Sequence, residues 1–226
     1  MACSATRWRP TDTMRRCKGG SSAITAGAPE REWFVMTPGV VFALAMAVTS
    51  FTQPGDAVII QPPVYYPFRM MIEDNGRKMV TSPLLYDGGR YTMDYEGFER
   101  ELEKTGAKLF ILCNPHNPVG RAWTEDELRR IGDICLRHNV VVVADEIHAD
   151  FARGPRACAV RLARRALRQK RRRLYSAEQD VQPGRAAAVK HLHPEPGSAR
   201  RVQAHTRSHG LRRAERVRRR GHAGVL

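Results

Sequence analysis

The sequence predicts an α/β layer fold with its ordered core between about Glu30 and Phe151, and three observations predict it. Strand-like and helix-like segments alternate throughout this stretch. Val140 to Ala144 is an almost purely β-branched run, and Ala57 to Ile60 is a second short apolar run, both suited to strands covered on two faces. Thr124 stands three residues before Glu127 at the head of a run with helical spacing, the signature of a capping box.

Taken in order, Trp33 to Met36 is a short apolar strand candidate, punctuated by Pro38-Gly39. Val40 to Phe51 is apolar on most faces and reads as a buried helix. Gln53-Pro54-Gly55-Asp56 makes a turn before the Ala57 strand, and Lys78 to Ser82 is a further strand candidate. Asp94 can cap a helix that places Phe98 and Leu102 on one face, after which Lys108 to Cys113 reads as strand. In the helix headed by Thr124, the residues Leu128, Ile131, Ile134 and Cys135 share a face, and the Val-rich strand then ends in Asp145-Glu146. Residues 1–29 carry no defensible strand or amphipathic helix. Residues 152–226 are Arg clusters, Ala and scattered His, Pro and Gly without a sustained period, and disorder is expected there.

The chain has 226 residues, 42% of them apolar, which is enough for one domain with a substantial core. Its net charge of +15 is unevenly placed: Met1 to Phe151 is close to neutral at −2, and Ala152 to Leu226 carries +17. A basic tail of this kind suits a polyanionic partner, but no aromatic residues are interleaved as nucleic-acid binding would favour. Cys3, Cys17, Cys113, Cys135 and Cys158 show no CxxC pair and no disulfide framework, so reduced thiols and a cytoplasmic location are expected. No apolar run is long enough to span a bilayer.

Asp145 falls at the carboxyl end of its strand, where α/β folds place ligands, although a carboxylate there can also cap a helix or face solvent. Asn114-Pro115-His116-Asn117-Pro118-Val119-Gly120, at the end of the preceding strand, can on composition alone be an ordinary loop. Tyr65 can equally be a core or surface aromatic, and His148 a structural histidine. In combination they are more specific. The Asn114 run resembles the NPxNPxG signature of fold-type I pyridoxal-phosphate (PLP) enzymes, the class I/II aminotransferase superfamily. Asp-Glu-Ile-His-Ala-Asp at 145–150 and Gln-Pro-Pro-Val-Tyr-Tyr-Pro-Phe at 61–68 make the stretch similar to the PatB/MalY-like cysteine-S-conjugate β-lyases.

The resemblance covers about residues 30–151 and implies part of a large domain with three α/β/α layers and a mostly parallel sheet. It implies that Asp145 pairs with the pyridine nitrogen, keeping it protonated so that the ring acts as an electron sink. Asn117 would hydrogen-bond the phenolic oxygen, Tyr65 would stack on the ring, and His148 would stand near that oxygen. Gly39, Val40 and Val41 would hold the phosphate on the free N–H groups of a helix start. The implied reaction is β-elimination from cystathionine or a cysteine S-conjugate, giving thiol, pyruvate and ammonia, in an enzyme that is usually a homodimer. An aminotransferase of the same fold uses the same motifs.

The resemblance also implies a Schiff-base lysine soon after the aspartate strand, in a Ser-x-x-Lys or Ser-Lys-Thr context, and none is present. Lys170 lies in a basic run and Lys190 between Val189 and His191, and both read as solvated charges. The tail instead looks like the next family segment read out of frame. With permitted codons, Leu174 to Ala186 shifted by one base encodes Cys-Thr-Ala-Pro-Ser-Lys-Thr-Phe-Asn-Leu-Ala-Gly. Ala157 to Ala163 and Ala187 to Gly197 shifted in the same way also give family-like segments, and Ser22 to Gly27 permits a weaker match. GC-rich codons read out of phase yield Arg, Ala, Pro and Gly, which accounts for the basic tail without a partner. The expectation is a chain that is catalytically inactive as written and unable to complete its fold, with one frame break near Ala28 and another between Phe151 and Ala157.

Overall fold

The computed structural model describes residues 34–37, 39–148, 174–178 and 188–190, together with Val202 and Ala204. Its centre is a seven-stranded sheet. The elements in chain order are β1 (Phe34–Met36), α1 (Val40–Phe51), β2 (Ala57–Ile60), α2 (Pro67–Glu73), β3 (Lys78–Thr81), β4 (Leu85–Asp87), β5 (Arg90–Thr92), α3 (Tyr95–Thr105), β6 (Leu109–Cys113), α4 (Glu125–Arg137), β7 (Val141–Asp145), β8 (Leu174–Glu178) and β9 (Ala188–Lys190). The strands lie in the order β1-β9-β8-β7-β6-β2-β3, while β4 and β5 form a separate two-stranded hairpin. Pairings from β3 through β8 are parallel, and the two pairings of β9 are antiparallel.

The strands that read as apolar runs are the buried ones. Every residue of β2 and β6 is buried, as are all of β7 except Val142, because helices cover both faces of the sheet. On one face α1 and α2 pack Leu44, Val48, Phe68 and Ile72 against Val58, Ile60, Leu109, Ile111 and Val143. On the other, Phe98 and Leu102 of α3 and Leu128, Ile131 and Ile134 of α4 pack with Trp123 against Ile59, Phe110 and Ala144. Phe98 meets Phe110 edge-on, with centroids 4.9 Å apart. The three-layer arrangement expected from the sequence is therefore present.

Local chemistry sets the helix ends. Asp94 accepts the Gly97 N–H at 2.9 Å and starts α3, while Gly106 ends it at φ 62°, a left-handed position that glycine adopts without a Cβ clash. At α4 the Thr124 hydroxyl accepts the Glu127 N–H at 3.3 Å and the Glu127 carboxylate accepts the Thr124 N–H at 2.8 Å, completing the expected capping box. The same carboxylate takes a two-pronged bond from Arg121 at 2.6 and 2.8 Å.

Three features differ from the sequence expectation. The helix α2 and the hairpin β4-β5 were not anticipated: α2 is only 7 residues long, and β4 is exposed along its whole length, so neither shows a clear apolar period. The third concerns the basic segment 152–226, for which disorder is expected. Leu174–Glu178 and Ala188–Lys190 are strands of the central sheet, which corrects the expectation at those positions. Without β8 the whole edge of β7 would leave its N–H and C=O groups unpaired, and β8 pairs with it from Val142↔Leu174 to Asp145↔Ala177. Lys190 closes β9, opposite Phe34 and Ser176. Lys170 and, apart from Val202 and Ala204, the remainder of the segment lie outside the described residues, as do residues 1–33. Among the described residues no helix is long and apolar enough to cross a membrane.

Replacing the cap by Thr124→Ala should lower stability by about 1 kcal/mol. The check is the urea midpoint of the full chain, which should fall without a change in the slope of the transition.

Candidate active site

The parallel register of β6 and β7 sets Cys113 directly opposite Asp145, so both strands end together at the carboxyl edge of the sheet. The Asn114 N–H donates to the Asp145 carbonyl at 2.9 Å and extends the ladder by one step. The chain then turns through residues 115–120 and returns, with the His116 N–H donating to the Arg121 carbonyl at 2.7 Å and the Gly120 N–H to the His116 carbonyl at 2.9 Å. Gly120 sits at φ 71° in this turn.

The loop is braced from beneath. The buried Asn114 side chain accepts the Trp123 N–H at 2.9 Å, and the Trp123 indole N–H donates to the Cys113 carbonyl at 3.0 Å. Arg121 lies over the Trp123 ring at 4.3 Å and also donates to the Tyr91 carbonyl. Asn117 is fixed from the other side, where its N–H reaches the Cys113 sulfur at 3.4 Å.

Above this edge is a cavity of about 200 Å³. Asp145, Asn117, Tyr65 and His148 line it together with Val40 and Val41, and Cys113 and Ile147 complete the wall. The structure thus brings together every residue singled out in the sequence except Gly39, which precedes the cavity at the N-cap of α1. Gly39 has no side chain to cap that helix, and among the described residues no side-chain capping bond is formed there. Thr37 donates to the Gly39 carbonyl at 3.1 Å, and that carbonyl also accepts the Ala43 N–H at 3.0 Å. Tyr65 is held edge-on by Phe68, with centroids 6.0 Å apart.

Cys113 and Ile147 were not singled out as site residues. Ile147 donates its N–H to the Asp145 carboxylate at 3.2 Å, and Cys113 donates its thiol to the Pro115 carbonyl at 3.4 Å. A sequence signal existed for Cys113, since it closes the strand that leads into the Asn114 loop. Burial, with the nearby Asp145 charge, pushes its thiol up to about 12.

Asp145 is 3% exposed and forms no salt bridge among the described residues. Burial pushes its carboxyl up to about 6, against smaller lowering effects of the Ile147 N–H and of His148. A buried anion of this kind suits a cationic N–H partner, and the N–H groups at the start of α1 suit an anion. Among the described residues no cluster of three or more His, Cys, Asp or Glu could hold a metal ion.

The aminotransferase class I and II profile matches residues 27–206, and the chain belongs to that family. Cystathionine β-lyase PatB of Bacillus subtilis is 53% identical over 120 residues, which cover 53% of this chain and 31% of that protein. A PLP-bound putative aminotransferase from Clostridium difficile superposes with a TM-score of 0.74 at 30% identity, over 89% of this chain and 52% of the other. Cystalysin of Treponema denticola, which contains pyridoxal 5′-phosphate, superposes with a TM-score of 0.74 at 27% identity, over 92% and 53%. The chain therefore spans about a third of the length of that curated relative and about half of each solved chain.

The Asp145 carboxyl ionises near pH 6 in the folded chain and near its ordinary 3.8 when unfolded, so the folded state binds the extra proton. Its ionisation opposes folding increasingly from about pH 4 to pH 6, and above that the full cost, on the order of 3 kcal/mol, applies. Asp145→Asn should therefore be more stable than the parent at pH 7, and the gain should shrink to nothing below pH 4. Urea melts at the two pH values test this.

Proposed function

We propose that this chain carries the cofactor-holding part of a PLP-dependent C–S β-lyase site. The observation that supports it most is Asp145, a buried carboxylate that forms no salt bridge among the described residues, on the wall of a cavity shared with Asn117, Tyr65 and the start of α1. These residues fit pyridoxal 5′-phosphate at both ends. Asp145 would hold the proton on the pyridine nitrogen, and the N–H groups at Gly39, Val40 and Val41 would take the phosphate. Asn117 would donate to the phenolic oxygen, Tyr65 would cover the ring, and His148 would stand beside it.

When bound, the cofactor supplies an electron-accepting ring for β-elimination from cystathionine or a related cysteine S-conjugate, with thiol, pyruvate and ammonia as products. Asp145 serves that chemistry by staying ionised against a cation, and Tyr65 by excluding water from one face. The resemblance to PatB favours the lyase reaction over amino-group transfer, which the same cradle also permits and which the putative aminotransferase of similar fold represents.

The missing lysine has a defined place in this reading. Asp145 pairs with Ala177, so β8 ends, at Glu178, on the same sheet edge as Asp145. In the frame shifted by one base, the Ser-Lys-Thr codons fall across Glu178 to Val181. As written, Gln179 and Asp180 stand there. The cofactor would then be held without a covalent bond, and this chain would not complete the elimination.

Titration of the purified full chain with pyridoxal 5′-phosphate should show saturable binding that borohydride reduction does not convert into a covalent adduct. Asp145→Ala should weaken that binding by roughly tenfold or more, the equivalent of about 1.4 kcal/mol. Cystathionine should yield neither pyruvate nor a transaminated product. Pyruvate release would overturn the inactive reading, and unaltered binding by Asp145→Ala would overturn the cradle. A coding DNA with no alternative frame for Ser-Lys-Thr would remove the frame break.

A further inference from the structure

Near the two site loops, four buried polar atoms on three side chains have no hydrogen-bond partner among the described residues: Gln61 Nε2 and Oε1, Ser82 Oγ and His116 Nδ1. Gln61 is 1% exposed, and Ser82 and His116 are 2% exposed each. Buried polar groups are costly to leave unsatisfied, so the cluster calls for a partner.

The topology gathers the three on one face of the sheet. Ile60 of β2 pairs with Thr81 of β3, and the Ser82 N–H continues that ladder by donating to the Ile60 carbonyl at 3.0 Å. Gln61 and Ser82 therefore stand side by side, two residues beyond Ile59 and Val80, which both pack in the core on the α3 and α4 side. His116 packs edge-on against Trp123 of that same core, with centroids 5.4 Å apart.

The Pro63 carbonyl selects one tautomer of His116. Its Nε2 lies 3.0 Å from the Pro63 carbonyl, an acceptor, so Nε2 carries the proton and Nδ1 is left as a lone-pair acceptor. Burial pushes the imidazole down to about 4, which keeps the ring neutral at pH 7. A bridging water would supply what the three side chains lack. It can donate to Nδ1 and bond to the Gln61 amide and the Ser82 hydroxyl, and three partners are typical of a buried water.

We infer that Gln61, Ser82 and His116 form a closed binding site for a structural water that couples the loop bearing Tyr65 to the loop bearing Asn117. Pro63 is two residues from Tyr65 and His116 adjoins Asn117, so the imidazole bond and the water together tie the two loops. His116 and Gln61 act as positioning residues, through Pro63 and the loop backbone, whether or not a cofactor occupies the cavity.

The test is the side-chain ¹⁵N spectrum of His116 in the full chain at pH 7, recorded for the parent, Ser82→Ala and Gln61→Met. Ser82→Ala deletes a single atom and keeps the fold. With the bridging water, the Nδ1 resonance of the parent has the value of a hydrogen-bonded acceptor, moves downfield in Ser82→Ala and moves further in Gln61→Met. A direct Gln61 to His116 bond gives a shift in Gln61→Met alone, and that result overturns the proposal. A parent Nδ1 with the resonance of an unbonded nitrogen also overturns it, as does a high-resolution structure with no density between the three side chains.

Discussion

The parallel pairing of β6 with β7 is the constraint on which the rest of this structure depends. Both strands are buried, so their register is set by core packing on two faces at once: Leu109, Ile111 and Val143 serve one side, and Phe110 and Ala144 the other. A slip by one residue would exchange these sets and turn every side chain to the wrong face. The register holding Cys113 opposite Asp145 is therefore a consequence of the apolar core, and it starts the Asn114 loop beside the carboxylate. The site inherits its precision from packing some distance below it.

The layers divide the labour. On the α1 and α2 side, the sheet carries elements that reach the cavity directly: the start of α1 with Val40 and Val41, and Tyr65 just ahead of α2. The α3 and α4 side supplies the brace, in which Trp123, Arg121 and Glu127 hold the Asn114 loop from behind. Glu127 serves two purposes there, since one carboxylate closes the helix cap and anchors Arg121. The cap of α4 and the shape of the loop are in this way a single unit.

Much of this was legible in the sequence because the responsible signals are local. The β-branched run at 140–144, the Thr124 to Glu127 box and the Asp94 cap each specify an element within a few residues, and the three-layer class follows from their order. The site was legible for a different reason: Asp145, Asn117 and Tyr65 sit in short motifs at strand ends. What stayed hidden depends on pairing at a distance. The hairpin β4-β5 is mostly exposed, and β8 is a strand because β7 has an open edge, which no periodicity within Leu174–Glu178 reveals. Cys113 reads in the sequence only as one of five reduced thiols, and it is the return of the chain at Asn117 that gives its sulfur a second neighbour.

That sulfur has a consequence for the durability of the cavity. It is buried in the cavity wall beside a carboxylate that repels thiolate formation, so at neutral pH it offers little nucleophile to peroxide or electrophiles. A hydroxyl at this position could serve as a similar tether for the loop, but the larger and less polar sulfur fills volume at a strand end without attracting solvent inward. The thiol in the floor of the site is consequently slow to oxidise, a protection that comes from burial together with the Asp145 charge and persists for as long as the two strands remain paired.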